Sequence, residues 1–109
     1  MKKIEVWIAP SRLDDAKDAM LGGGASGLTA TEVLAPAGRE IYRAAVMETG
    51  LRSYTRVETV VHDDLVSRIV GGLERVLARG PAAGGLLLVA PVFEAVRIRT
   101  GEIDEAAIA

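Results

Sequence analysis

Residues 2 to 9, KKIEVWIA, alternate in character: Ile4, Val6 and Ile8 fall on one side, and Lys3, Glu5 and Trp7 on the other. A period of two predicts a strand with one face on a core. Pro10 ends the pattern, and Ser11 with Asp14 three residues on reads as a capping arrangement for a helix. Leu13, Ala16 and Met20 recur in that helix at helical spacing, and the glycines at 22 to 24 stop it. GLTATEVLA, from Gly27, predicts a second strand. Residues 36 to 54 show no sustained period and carry proline, glycine and charge, so a long loop is expected. TRVETVVH (55 to 62) predicts a third strand, with Val57, Thr59 and Val61 opposite Arg56, Glu58 and Val60. Asp63 or Asp64 then caps a second helix, whose buried stripe is Val66, Ile69, Val70, Leu73 and Leu77. Gly71 and Gly72 in its middle cost about 2 kcal/mol of helix propensity, which close packing against a neighbour would explain. LLLVAPV is a fourth strand, with AVRIRT extending or following it.

The order βαββαβ is that of an α+β, ferredoxin-like sandwich: a four-stranded antiparallel sheet with two helices on one face. Such helices cover one side of the sheet, through Ile4, Val6, Ile8, Leu28, Val57 and Val61. The other side carries Trp7, Thr29, Thr31, Arg56, Glu58, Val60, Arg97 and Arg99, too apolar for free solvent and too charged for a closed core. Burial between the subunits of a symmetric oligomer fits this mixture. Read as strand residues, Arg97 and Arg99 share a face at about 6–7 Å, where they repel unless an anion lies between them. Salt bridging to Glu58 or Glu102 is the plainer alternative.

Composition narrows the chemistry. The 109 residues suit a single domain, 1–109. A net charge of −2 argues against general nucleic-acid binding. The absence of cysteine excludes disulfides and thiolate chemistry, and a lone histidine, His62, excludes most histidine metal sites. Arg12 and Asp14 follow the first apolar run too closely for a signal peptide, and no run approaches the ~18 residues that span a bilayer, so a cytoplasmic protein without membrane insertion is expected. The acidic pairs Asp14–Asp15 and Asp63–Asp64 open helices, where the dipole favours them, and no nucleophile has an adjacent base. No catalytic or metal-ligating residue is assigned. GGGASG, at 22 to 27, follows a helix and lacks the lysine of a phosphate loop.

Several ungapped blocks carry a resemblance. MKKIEVWIAPSRLDDAKDAM, GLTATEV (27–33), EIYRAA (40–45), VETVVHDDLV (57–66) and VRIRTGE (96–102) stand in the order and spacing of the PII signal-transduction family. The resemblance implies a homotrimer that binds an adenine nucleotide in clefts between subunits and signals to a protein target through a long loop, the T-loop, here about 36–54. By this likeness Arg97 and Arg99 hold the phosphates, Thr29 contacts adenine, Val60 lies on its apolar side and the Gly38–Arg39 pair touches the phosphates. Gly84 and Gly85 belong to a phosphate-wrapping B-loop at about 80–86. Trp7, Glu58 and Leu86 would line the cleft, with the indole of Trp7 stacking on a base or filling its space. Arginine forks and glycine turns suit phosphate on physical grounds.

The departures from the family pattern sharpen what it implies. Both B-loop lysines are replaced, by Pro81 and Leu86, so the site has lost two positive charges and AMP or ADP is favoured over ATP. The T-loop is several residues shorter. Tyr54 stands where the family has the lysine for 2-oxoglutarate, and Met47 where some members carry the uridylylated tyrosine, so neither property carries over. Some branches with altered loops sit beside carboxysome or bicarbonate-transport genes and sense adenylates with bicarbonate, which makes bicarbonate a candidate co-effector and a target in inorganic-carbon or nitrogen metabolism a candidate partner. A scaffold trimer without nucleotide, its cleft closed by Trp7 and Leu86, is the alternative. An enzyme is the least favoured reading.

Overall fold

Strand β1 (Lys2–Ile8) realises the first alternation in full: Ile4, Val6 and Ile8 are buried, while their neighbours are half-buried. The computed structural model describes residues 1–36, 39–42, 45–48 and 50–109. After β1 come α1 (Leu13–Gly22), β2 (Thr29–Pro36), β3 (Arg39–Tyr42), β4 (Ala45–Glu48), β5 (Leu51–Val61), α2 (Val66–Leu77), β6 (Leu86–Pro91) and a short α3 (Glu105–Ile108). The main sheet has the order β2-β5-β1-β6, with every neighbouring pair antiparallel, which is the ferredoxin-like arrangement expected. Helices α1 and α2 pack on one face. Met20 and Ala16 from α1, and Ile69, Leu73 and Leu77 from α2, close over Ile4, Val6, Ile8, Val57 and Val61. Leu28, Val66 and Val70 are partly buried against this core. Each large side chain so covered is worth roughly 1.5–3 kcal/mol.

The expectation of a loop at 36–54 is corrected for the described residues, 37–38, 43–44 and 49 lying outside them. Strands β2 and β5 stay paired to their ends, Val33 opposite Tyr54 and Pro36 opposite Leu51, and β3 and β4 form a separate two-stranded ribbon with Arg39 opposite Glu48 and Tyr42 opposite Ala45. The pairing left no hydrophobic period because it extends beyond the helices: Leu34 and Leu51 are exposed, and backbone hydrogen bonds rather than a buried face hold the strands. The molecule is accordingly long, 58 × 26 × 20 Å, with a radius of gyration of 16.4 Å against about 13 Å for a compact chain of this size.

The expected helix caps are also corrected. Both helices are entered through a single 3-10 turn, Pro10–Arg12 and Asp63–Leu65, with no side-chain cap hydrogen bond from Ser11, Asp63 or Asp64. The turns use backbone instead, Arg12 N–H to Ala9 O at 2.9 Å and Leu65 N–H to His62 O at 3.1 Å. Asp63 is thereby free to take the Met1 ammonium at 3.0 Å and Lys2 Nζ at 3.1 Å. These two cations, the ammonium foremost, hold its carboxyl below the ordinary value of 3.8. The close packing invoked for Gly71 and Gly72 is not found within the chain. A Cβ on Gly71 would meet nothing within 4 Å, and one on Gly72 only ordinary contact with Ala19 at 3.9 Å.

Two outcomes follow for stability. Gly71→Ala raises the stability measured by urea unfolding by about 1 kcal/mol, because it removes backbone entropy in a helix interior at no steric cost. The depressed carboxyl of Asp63 contributes stability above its ordinary value, and this is lost as pH falls through the lower folded value. Asp63→Asn therefore lowers the urea midpoint at neutral pH and leaves the midpoint less pH-dependent below pH 3.8, the wild-type and variant curves converging in acid.

Candidate functional site

The uncovered face of the sheet brings two carboxylates together. Glu5 on β1 lies directly opposite Glu58 on β5, a like-charge pairing that repels on its own. Lys3 Nζ lies 3.6 Å from Glu58 and 3.9 Å from Glu5, and Arg56 Nε lies 3.9 Å from Glu5 on the other side. The Trp7 indole N–H donates to Glu5 at 3.1 Å, which fixes the ring beside this cluster. Arg56 Nε is itself buried with no hydrogen-bond partner.

Two clefts flank the cluster. One, of about 310 Å³, is lined by Lys3, Thr29, Glu58, Val60 and Arg97, with Ser26 and Ile108 at its edge. The other, of about 540 Å³, is lined by Trp7, Pro10, Arg52, Tyr54, Gly84 and Gly85. Thus Thr29, Glu58, Val60 and Arg97 line one cleft, and Trp7, Gly84 and Gly85 the other. Trp7 is paired with Arg56, and Val60 lies four residues further along β5, about 13 Å away. Gly85 is where it must be. Its φ is +133°, and a Cβ there would lie 2.5 Å from the Trp7 carbonyl oxygen.

The expectation for the two arginines changes. Arg97 and Arg99 are not on a strand: β6 ends at Pro91, Val96 and Ile103 form an isolated bridge, and the segment between them turns back on itself. The N–H groups of Thr100 and Gly101 both bond Arg97 O, at 3.2 and 2.8 Å, and Gly101 has a φ of +75°. The two arginines therefore do not form a pair on one sheet face. Arg97 Nη2 donates to Ala107 O at 2.9 Å and Ala109 O at 3.3 Å, and its Nε lies 3.9 Å from Glu102, while Arg99 is exposed and lines neither cleft. Leu86 is the first residue of β6, where the fourth strand is expected to begin; it stands opposite Trp7 in the β1–β6 ladder and also borders an apolar pocket with Val6, Leu73 and Leu77. Gly38 lies outside the described residues. Arg39 is placed in β3 by its backbone.

Sequence reasoning missed Lys3, Arg52 and the C-terminal turn. Lys3 read as an ordinary strand-face lysine, although a lysine beside two facing glutamates is a visible signal once the register is known. The turn α3 sends Ile108 O to accept from Ser26 Oγ at 2.7 Å and so closes one side of the smaller cleft. Among the described residues, no group of three or more acidic or histidine side chains could hold a metal ion, and no helix is long and apolar enough to cross a membrane.

Comparison with known proteins yields a consistent set of relatives. The family model for nitrogen regulatory protein P-II matches residues 1–102. The nitrogen regulatory protein P-II 1 of Escherichia coli is 39% identical over 113 residues, covering 99% of this chain and 100% of that protein. The P-II protein of Bradyrhizobium diazoefficiens is 38% identical over 107 residues, covering 94% and 95%. Among solved structures, the GlnK–ATP complex of B. subtilis superposes with a TM-score of 0.80 at 24% identity, over 97% of this chain and 94% of that one.

The charge cluster makes its own prediction. Lys3→Met leaves Glu5 and Glu58 facing each other with less compensation and lowers stability by about 0.5 kcal/mol at low salt. The loss shrinks in 1 M NaCl, and Glu58→Gln in the same background recovers most of it. Urea midpoints of the single and double variants at both salt concentrations measure this.

Proposed function

The chain belongs to the nitrogen regulatory protein P-II family, a family of regulatory, non-enzymatic signal transducers, and on that premise we propose that it is an adenine-nucleotide sensor whose site is completed between subunits of a homotrimer. The observation that carries this reading is the division of the candidate residues. Thr29, Val60 and Arg97 line one cleft and Trp7, Gly84 and Gly85 the other, on different ends of the same face. The two clefts are separate within a single chain, and in a homotrimer apposed copies bring the first cleft of one against the second cleft of its neighbour. The solved relative in complex with ATP supports nucleotide as the ligand class.

The finer reading is that AMP or ADP is preferred over ATP, with bicarbonate as co-effector. Pro81 and Leu86 supply no charge to a third phosphate, while Arg52 on the Trp7 cleft leaves one cation for a small anion. Within 1–109, a single domain acting in the cytoplasm, Thr29 and Val60 hold the base and Gly84, Gly85 and Arg97 the phosphates, with Arg99, Gly38 and Arg39 assisting. Trp7 and Glu58 border the base. Signalling runs through the 36–54 segment to a protein target in inorganic-carbon or nitrogen metabolism. A scaffold trimer without nucleotide is the second reading, and the Arg97 guanidinium, already bonded to the Ala107 and Ala109 carbonyls, favours it.

Calorimetry separates the two. ADP binds the wild type, with a stoichiometry of one per subunit, and Arg97→Ala weakens it at least tenfold, about 1.4 kcal/mol. Bicarbonate raises the ADP affinity. A chain that sediments as a monomer, or shows no heat with AMP, ADP or ATP, sinks the nucleotide reading.

A further inference from the structure

Residues 79 to 85 are all exposed, and Gly80, Ala82, Gly84 and Gly85 all have positive φ, at +83°, +55°, +103° and +133°. A segment with so many left-handed positions and no side chain in the core has little of its own to hold it in one shape. What holds it comes from the far end of the sequence. Arg12, 7% exposed, sends its guanidinium beneath the segment. Nη1 donates to Arg79 O at 2.7 Å and Pro81 O at 3.1 Å, and Nη2 donates to Val76 O at 2.5 Å at the end of α2. Nε donates to Asp15 at 2.7 Å, which supplies the compensating charge. The negative end of the α2 dipole adds to it.

We infer that Arg12 is the positioning residue of the 79–85 segment: it ties that backbone to the C-terminus of α2, so that Gly84 and Gly85 stand at the Trp7 cleft before any ligand arrives. The geometry requires an arginine. Three carbonyls and one carboxylate lie around a planar fork, and each of its nitrogens serves a different direction. A lysine at this position brings a single nitrogen that reaches one or two of them. Next along the chain, the Gly84 N–H bonds Leu77 O at 2.8 Å, so the segment is pinned to α2 at both ends, through Arg12 at 79–81 and directly at 84. The consequence for ligand binding rests on the nucleotide reading above. Apart from the Gly84 N–H, which is spent on Leu77 O, a preset backbone offers its remaining N–H groups without an ordering cost, which matters more where the lysines are absent.

Amide hydrogen exchange and calorimetry test this together in Arg12→Lys and Arg12→Gln. In Arg12→Lys, which keeps the charge and the reach to Asp15, the amides of 82–85 exchange about tenfold faster while those of β1 and β5 are unchanged. ADP affinity falls about tenfold in the same variant, and affinity for adenosine, which has no phosphate, stays within about twofold. Arg12→Gln shows the same pattern more strongly. Unchanged exchange at 82–85 in both variants, or an acceleration equal throughout the sheet, overturns the inference, as does an equal loss for ADP and adenosine. A wild type that binds no ADP removes the nucleotide reading alone, and the exchange pattern then decides the role of Arg12.

Discussion

The burial of Ile4, Val6 and Ile8 beneath Ile69 and Leu73 uses one face of the central strand completely. Side chains alternate along a strand, so the same packing sends Lys3, Glu5 and Trp7 to the other face. Helices α1 and α2 lie on the first side, and the second is left open among the described residues except where the short α3 borders one edge. The candidate chemistry is therefore located by the core rather than by any motif. A residue slip in the β1–β5 register would bury Glu5 and expose Val6, so the register that protects the core also fixes which charges meet.

Those charges meet under strain of a particular kind. Glu5 and Glu58 face each other across the ladder, and the lysine and arginine near them sit at 3.6–3.9 Å, long for direct hydrogen bonds. The cluster is held by general attraction more than by a closed network. Arg56 Nε, buried and unpartnered, is the residue of that arrangement. A buried donor without a partner costs free energy, and an apposed subunit or a ligand that supplies an acceptor would recover it.

The core was legible in the sequence because burial writes a period. Ile4, Val6, Ile8, Val57 and Val61 announced the sheet, and Ile69, Leu73 and Leu77 the helix. The paired strands beyond it were not, since the arms β2 and β5 past Thr55 are held by backbone bonds that any sequence can make. The reading of Arg97 and Arg99 as strand partners failed for a related reason: V-R-I-R alternates as a strand does, but Gly101 and the two N–H groups closing on Arg97 O turn the chain there. Alternation predicts a strand only where a partner strand is available, and β6 pairs no further than Pro91. Of the candidate site, Thr29, Glu58, Val60 and Arg97 line a common cleft, since β2 and β5 are neighbours in the sheet. Arg12 was invisible because its work is on backbone carbonyls, which carry no sequence signature.

The Trp7 cleft joins three elements that are otherwise separate. The end of β1 contributes Trp7, the turn before β6 contributes Gly84 and Gly85, and β5 contributes Arg52 and Tyr54 just where it leaves the core. Arg52 and Tyr54 are also the partners of Ala35 and Val33, the last part of β2 before the ribbon. A ligand in this cleft thus touches the base of the arm and the glycine segment together. Such a ligand alters the arm only if its contacts with Arg52 and Tyr54 differ between arm positions. The segment tied down by Arg12 supplies one side of the cleft against which such a difference is felt.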